Sequence, residues 1–287
     1  MQQPPDEAQI FRQASTTYYW SSRFFPKTVR EDVFKLYSFV RTADDCVDSV
    51  PQQRAAFKAL RRAWEQASAD PHFDTTVAPD DTLNVRVIKN MVYVYKKHGF
   101  DYAWVTAFLD AMQADLDGKT YATLEDTLWY VHGSAEVIGL MMAKIMNLSP
   151  AAYEAAMLQG RAMQWINFIR DMHEDALLGR CYFPAEELVR FGLPDVSAET
   201  AATHKAPFKK FVHFQIAQYQ AWQTAASAGM HHIPRRPRIA LKTAVDMYNW
   251  TGRVIARRPH AVFDGKIKPS RYRVIGTGVK HVFRPNL

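Results

Sequence analysis

Cysteine is nearly absent from this 287-residue chain: Cys46 and Cys181 are the two it has. They cannot build a disulfide framework or a cysteine-rich zinc site, so reduced thiols are expected. Long apolar runs are missing too. The longest candidate, SAEVIGLMMAKIMNL, is interrupted by Lys144, which argues against a membrane span. The opening MQQPPDEAQIFRQ has the plan of neither a secretory signal nor a transit peptide, so a cytoplasmic location is expected. GxGxxG and GxxxxGK[ST] do not occur, which removes the sequence case for a bound nucleotide. Nor does Glu-x-x-His, which bundle di-iron sites require. Zinc spacing is absent as well, since HEDA has no second histidine and His231-His232 runs into PRRPR. His173 and Glu174 are adjacent, but nothing around them supports a hydrolase dyad.

Acid is scarce at one end. From Asp264 onward a single acidic residue faces Lys266, Lys268, Arg271, Arg273, Lys280 and Arg284. The whole chain carries a formal +7 with a pI near 9.3, which suits nucleic acid, lipid headgroups or phosphorylated substrates. No helix-turn-helix, zinc-finger or aromatic-basic RNA-binding signature is present, and nucleic acid is not expected.

What is present is helix. Apolar residues make up 48% of the chain, enough for a sizeable core, and strand-like alternation is scarce, so the expected fold is all-α. Pro26 opens a helix through KTVREDVFKLYSFVRTADDCVDS. Thr123 and Asp126 form a capping-box pattern that opens TLEDTLWYVHGSAEVIGLMMAKIM, with Gly133 and Gly139 inside it. Ser149-Pro150 opens AAYEAAMLQGRAMQWINFIRDMHEDALLG, and Pro184 starts AEELVRFG. Further helices are expected from about 208 to 228 and over IALKTAVDMYNWTGRVIARR. Polar breaks fall near 67–81, 192–207 and 229–238, and none is linker-like. The expectation is one domain over 1–287, with a core at about 15–275 and a basic tail at 264–287.

Two acidic stripes stand out. At 100° per residue Tyr37, Arg41, Asp44 and Asp48 share one helix face within about 60°, and Gln164, Asn167, Asp171 and Asp175 share another with Arg170 beside them. Two carboxylates about 6 Å apart repel by roughly 3 kcal/mol at an effective dielectric near 20. A cation between them reverses that sign. Mg²⁺ takes oxygen ligands and favours one or two carboxylates plus substrate phosphates over an all-protein cage. Two such faces across a cavity could hold metal and grip a diphosphate, with Arg41 and Arg170 supplying bidentate contacts. A single stripe of this kind is more often a solvated face; it is the pair, each with its arginine, that favours the metal reading.

RTADDCVD and QWINFIRDMHED, the latter followed by GRCYFPAEEL, resemble the two aspartate-rich signatures of the squalene and phytoene synthase family. The resemblance runs from about Ser15 to Ile275, and RCYFPAEELVRFGL is closer to the phytoene synthase branch. YVHGSAEVIGLMM resembles the family's glycine-containing helix, with SAEVIG where VAGTVG-like wording is commoner. The resemblance implies an isoprenoid-synthase-type helical bundle around a central cavity and a prenyltransferase that joins two prenyl diphosphates head to head. Carried over by position, Asp44, Asp48, Asn167, Asp171 and Asp175 would hold Mg²⁺, or Mn²⁺ in its place. Tyr37, Arg41, Gln164, Arg170 and Tyr248 would contact substrate, and Asp115 and Tyr130 match further cavity positions. At the N-terminal flap Ala14-Ser15-Thr16-Thr17 replaces a His-Ser-Lys-Ser-like stretch, which keeps Ser15, Thr16 and Thr17 as substrate contacts but loses a basic one.

The branch resemblance implies geranylgeranyl diphosphate as substrate and phytoene as product, through a cyclopropyl diphosphate and without NADPH. Farnesyl diphosphate giving dehydrosqualene or squalene is the runner-up. Cyclisation of a single diphosphate and a non-catalytic scaffold of the same fold are further alternatives. A lipid product and a basic chain lead to the expectation of peripheral attachment to anionic membranes through the tail.

Overall fold

A computed structural model describes residues 21–283. Among the described residues every regular element is helical, as the sequence leads one to expect. In chain order they are α1 (Lys27–Asp48), α2 (Arg54–Ala69), α3 (Leu83–His98), α4 (Tyr102–Leu116), α5 (Leu124–Val131) and α6 (Val137–Ile145). A π-helical turn, His132–Glu136, joins α5 to α6. There follow α7 (Tyr153–Leu177), α8 (Ala185–Arg190), α9 (Ala198–Thr203), α10 (Lys205–Ala228), α11 (Arg235–Arg257) and α12 (Arg271–Phe283).

Local chemistry sets several boundaries. Pro26 is the residue just before α1 rather than its first helical position. The Thr123–Asp126 capping box forms in full at the start of α5, each residue's side chain meeting the other's backbone N–H. In α1 the residues Val33, Leu36, Phe39, Ala43 and Val47 recur at helical spacing and are buried, so the opposite face is left for the polar stripe. Three expectations are corrected. The break expected over 192–207 holds a short helix, α9, whose first turn is capped by the Ser197 side chain, and α10 begins already at Lys205. The break expected over 229–238 ends early, because α11 begins at Arg235. Pro237 fits its first turn, where the missing N–H would have had no intrahelical partner. The tail, read from sequence for its charge alone, contains α12.

α7, 25 residues long and so about 37 Å, runs through the centre and packs against α6, α10, α11 and the π turn. Its core side is apolar, with Trp165 and Ile166 fully buried. Buried polar pairs fix its register. Trp165 Nε1 donates to Gln215 Oε1 at 3.1 Å, Gln215 Nε2 donates to Glu187 Oε2 at 2.6 Å, and Gln159 and Gln223 are bonded amide to amide. Gly133 and Gly139 both serve close approach. A Cβ at Gly133 would strike the Ala107 carbonyl of α4, and one at Gly139 the Ala156 carbonyl of α7. Glu136 in the π turn is buried; it accepts from Arg161 Nε at 2.5 Å and faces His132 Nδ1 at 3.0 Å. Among the described residues no helix is long and apolar enough to cross a membrane.

Candidate active site

The polar ends of α1 and α7 face one cavity of about 380 Å³. Asp44, Asp48, Arg41 and Tyr37 reach it from α1; Gln164, Asn167, Arg170, Asp171 and Asp175 reach it from α7. Asp115, Tyr130 and Tyr248 line it too. All the expected site residues that are described thus meet in one place, while Ser15, Thr16 and Thr17 lie outside the described residues. A second, apolar cavity of about 290 Å³ adjoins it. Tyr37, Val40, Ser134, Gln164 and Asn167 line both, so a charged chamber opens directly onto an apolar one.

The carboxylates do not stand alone. Arg41 Nη1 donates to Asp44 Oδ2 at 2.7 Å and its other nitrogen pairs with Asp45. Arg170 holds Asp171 by two hydrogen bonds, one of them Nε to Oδ1 at 2.7 Å. Lys266 pairs with Glu174 and lies 3.7 Å from Asp171. Arg180 is the tie between the stripes' surroundings: Nη1 donates to Asp48 Oδ1 at 2.6 Å, Nη2 donates to the Val47 carbonyl at 2.6 Å, and Nε sits 4.0 Å from Asp115. Asp115 itself accepts from Tyr130 at 2.7 Å and from Tyr182 at 2.9 Å. Tyr182 in turn stacks on Phe168 with ring centres 4.5 Å apart.

Arg180, Tyr182, Lys266 and Lys268 are site residues that sequence reasoning did not single out. Arg180 and Tyr182 sit within GRCYFPAEEL, so their signal was the motif itself; the lysines were read only as part of a charged tail.

Burial, and then repulsion from Asp48, push the Asp44 carboxyl upward against the pull of Arg41. Burial and the neighbouring Asp171 push Asp175 up to about 8. Burial likewise lifts Asp115 to about 6, although Arg180 and the two tyrosines oppose the rise. Tyr130 is held well above its ordinary value by burial first, and so keeps its proton near neutrality. Carboxylates that resist ionisation beside one another are suited to a hard cation. Asn167 adds a buried Oδ1 with no hydrogen-bond partner, on a side chain that lines both cavities. The donor set is all oxygen, which fits magnesium. Among the described residues no three acidic, His or Cys groups are close enough to cage an ion by themselves, so phosphate oxygens and water would complete a coordination shell.

The squalene/phytoene synthase family matches residues 11–273. A phytoene synthase of Pseudescherichia vulneris is 30% identical over 258 residues, covering 88% of this chain and 83% of that protein. A presqualene diphosphate synthase of Zymomonas mobilis is 28% identical over 236 residues, covering 81% and 76%. The solved structure of a dehydrosqualene synthase in complex with ligand has the same fold, with a TM-score of 0.80 at 24% identity, over 97% of this chain and 95% of that one. The match spans nearly the whole chain and takes in both acidic stripes: this chain belongs to the squalene/phytoene synthase family, and it is an enzyme of the prenyltransferase type.

Proposed function

We propose that this enzyme joins two geranylgeranyl diphosphates head to head into phytoene, by way of a cyclopropyl diphosphate and without NADPH. One observation carries the reading: a chamber rich in carboxylates and cationic side chains shares five lining residues with an apolar chamber, which suits a substrate with a diphosphate at one end and a hydrocarbon at the other. Magnesium, or manganese, would be held by Asp44, Asp48, Asn167, Asp171 and Asp175 and would supply charge neutralisation at the departing diphosphate.

The protein's own groups do the rest. Arg41, Arg170, Arg180, Lys266 and Lys268 line the polar chamber and are suited to diphosphate oxygens once their carboxylate partners turn to other ligands. Tyr37 and Gln164 line both chambers and Tyr248 the polar one, which suits them to the junction between a diphosphate and its chain. An allylic cation left behind there faces Tyr130, Tyr182, Phe168 and Phe108, whose ring faces stabilise positive charge. Tyr130 is a neutral donor to Asp115, so that pair orients the wall rather than offering a phenolate base. The acceptor's 2,3 double bond attacks C1 of that cation, the cyclopropane closes with loss of a proton, and departure of the second diphosphate, rearrangement and loss of one more proton give the triene. Val33, Leu36, Ile138, Met142 and Met163 close the apolar side and exclude the water that would trap the cation as an alcohol.

The presqualene diphosphate synthase similarity gives a second reading on farnesyl diphosphate some support. A non-catalytic scaffold is disfavoured by the intact oxygen donor set. Incubation with Mg²⁺ and either geranylgeranyl or farnesyl diphosphate, with and without NADPH, separates these readings. A C40 triene formed without NADPH is the expected product; a C30 hydrocarbon moves the enzyme to the shorter substrate, and no hydrocarbon from either sinks the proposal. A water-insoluble product also calls for peripheral attachment to an anionic membrane.

A further inference from the structure

Among the described residues eleven large apolar side chains are exposed, and four of them, Tyr272, Ile275, Val279 and Phe283, stand on α12. At 100° per residue these four fall within about 80° of the helix circumference, so they form one ridge pointing outward. The opposite face is accounted for. Val274, Gly278 and His281 are buried, α12 packs on α11, and His281 Nε2 lies 2.8 Å from Asp246 Oδ2. On the flanks of the ridge Arg271, Arg273 and Lys280 are exposed, and no acidic residue occurs from Gly265 through Phe283.

An apolar ridge edged by charges of one sign has a specific complement. Apolar side chains enter the acyl boundary of a bilayer while the flanking cations meet anionic headgroups. A second copy of this chain would set the same cations against each other.

The position of α12 adds a second argument. Ser21, Ser22 and Phe25 line the apolar cavity. Phe24, between them, lies against Gly278 of α12 so closely that a Cβ there would run into its ring. α11, which carries α12, gives Ala240, Leu241 and Ala244 to the wall of the same cavity. Residues 21–25 and α11 are therefore a partition that touches the apolar cavity on one side and α12 on the other.

The geometry points to α12 as a membrane-docking helix that sets the apolar cavity beside an anionic bilayer, with hydrocarbon product leaving across the 21–25 partition into lipid. This deepens the proposed function and rests on it for the identity of what leaves.

The test uses the full chain and sedimentation with vesicles of phosphatidylcholine alone or mixed with phosphatidylglycerol. The expected result is binding to the anionic vesicles that is weakened by salt, with little binding to the neutral ones. Two variants follow: Tyr272→Ser with Ile275→Ser and Phe283→Ser, and Arg271→Glu with Lys280→Glu. All five side chains are exposed, so thermal midpoints should match the parent; should the apolar triple prove unstable, the charge pair decides. Each variant is expected to lose at least about tenfold in vesicle affinity and to keep its turnover of detergent-dispersed substrate. Parent-like binding by the charge pair, or no binding by the parent, overturns the assignment. So does a dimeric parent that the apolar triple makes monomeric. Binding is read without turnover, so failure of docking and failure of the proposed activity are distinguishable.

Discussion

At the residue scale the site is built from groups that oppose one another until something joins them. Asp171→Asn keeps the shape of the side chain and removes its charge. With helicity unchanged by circular dichroism, turnover should fall by about 10²–10³-fold or more, the order of loss seen when one electrostatic group is removed from an active site. Near-normal turnover would remove Asp171 from the metal assignment. The raised carboxyls also fix a pH dependence. Asp175 sits near about 8 when folded against about 3.9 in an unfolded chain, so the folded protein keeps a proton the unfolded chain has lost. That contribution is fully present below about pH 4 and is lost as pH rises through about 8. In chelator, the urea midpoint should fall from pH 5 to pH 9, Asp175→Asn should flatten the slope, and Mg²⁺ supplied together with inorganic diphosphate should restore most stability at the alkaline end because the complex competes with the proton. A flat profile in chelator would show that the burial of Asp175 is relieved in solution.

The sequence made Asp44, Asp48, Asn167, Asp171 and Asp175 legible because helical spacing alone puts each group on one face. Arg180 was not legible in the same way. Its partners, Asp48 on α1, 132 residues away, and Asp115 on α4, come from two distant helices, so only the packed fold reveals that it stands between them. The raised carboxyl of Asp115 was equally hidden, since it reflects burial in the packed fold, against the hydrogen bonds that Tyr130 and Tyr182 bring to it.

At the scale of elements, the helix called from Thr123 to Met146 is real but interrupted. The interruption is the π turn, which no periodicity count reveals because it inserts its extra residue without breaking the helix. Glu136 fixes that turn against α7 through Arg161, and Ala135 from the same turn lines the apolar cavity. Gly139 lets α6 lie directly on α7. Replacing it with alanine gains up to about 1 kcal/mol of helix propensity but drives a Cβ into the backbone carbonyl of Ala156, which cannot rotate away. Gly139→Ala should therefore destabilise by about 1–3 kcal/mol, read as a lower denaturation midpoint. A stabilised variant would mean that the helices can part at little cost. Caps and prolines marked the starts of α1, α5 and α8 well, because those signals are local. The start of α11 was missed for the opposite reason: two prolines in PRRPR read as a break, yet the second occupies a first-turn position where proline is tolerated.

At the scale of the whole molecule, the apolar cavity follows α7 away from the polar chamber. Ala155 lines it and Asn167 stands at the shared rim, twelve residues apart and so about 18 Å along the helix axis. Each methylene buried in such a cavity contributes roughly 0.8 kcal/mol, and an isoprene unit brings several. Ala155→Phe would fill the far end without touching a charged group. The expected outcome is a shift in product from C40 toward C30 hydrocarbon when both substrates are supplied, with the polar chamber intact. An unchanged product ratio would mean that the hydrocarbon tails do not reach that depth. This depth was out of reach of the sequence, because it depends on how far α6, α7, α10 and α11 stand apart.

The ion pairs of the polar chamber also bear on the order in which the proposed metal and diphosphate would arrive. Six carboxylates face five cationic side chains across that space, so as it stands the chamber is nearly neutral and has little pull on a free divalent ion. A bare diphosphate meets the aspartates, and a bare metal meets the arginines. Only the two together satisfy both sets at once. Turnover should thus follow the concentration of the preformed metal–diphosphate complex, and preloading the protein with magnesium should give no head start in a rapid-mixing experiment. On the proposed mechanism the enzyme would then need no reserve of metal between cycles, and each substrate would deliver its own counter-charge.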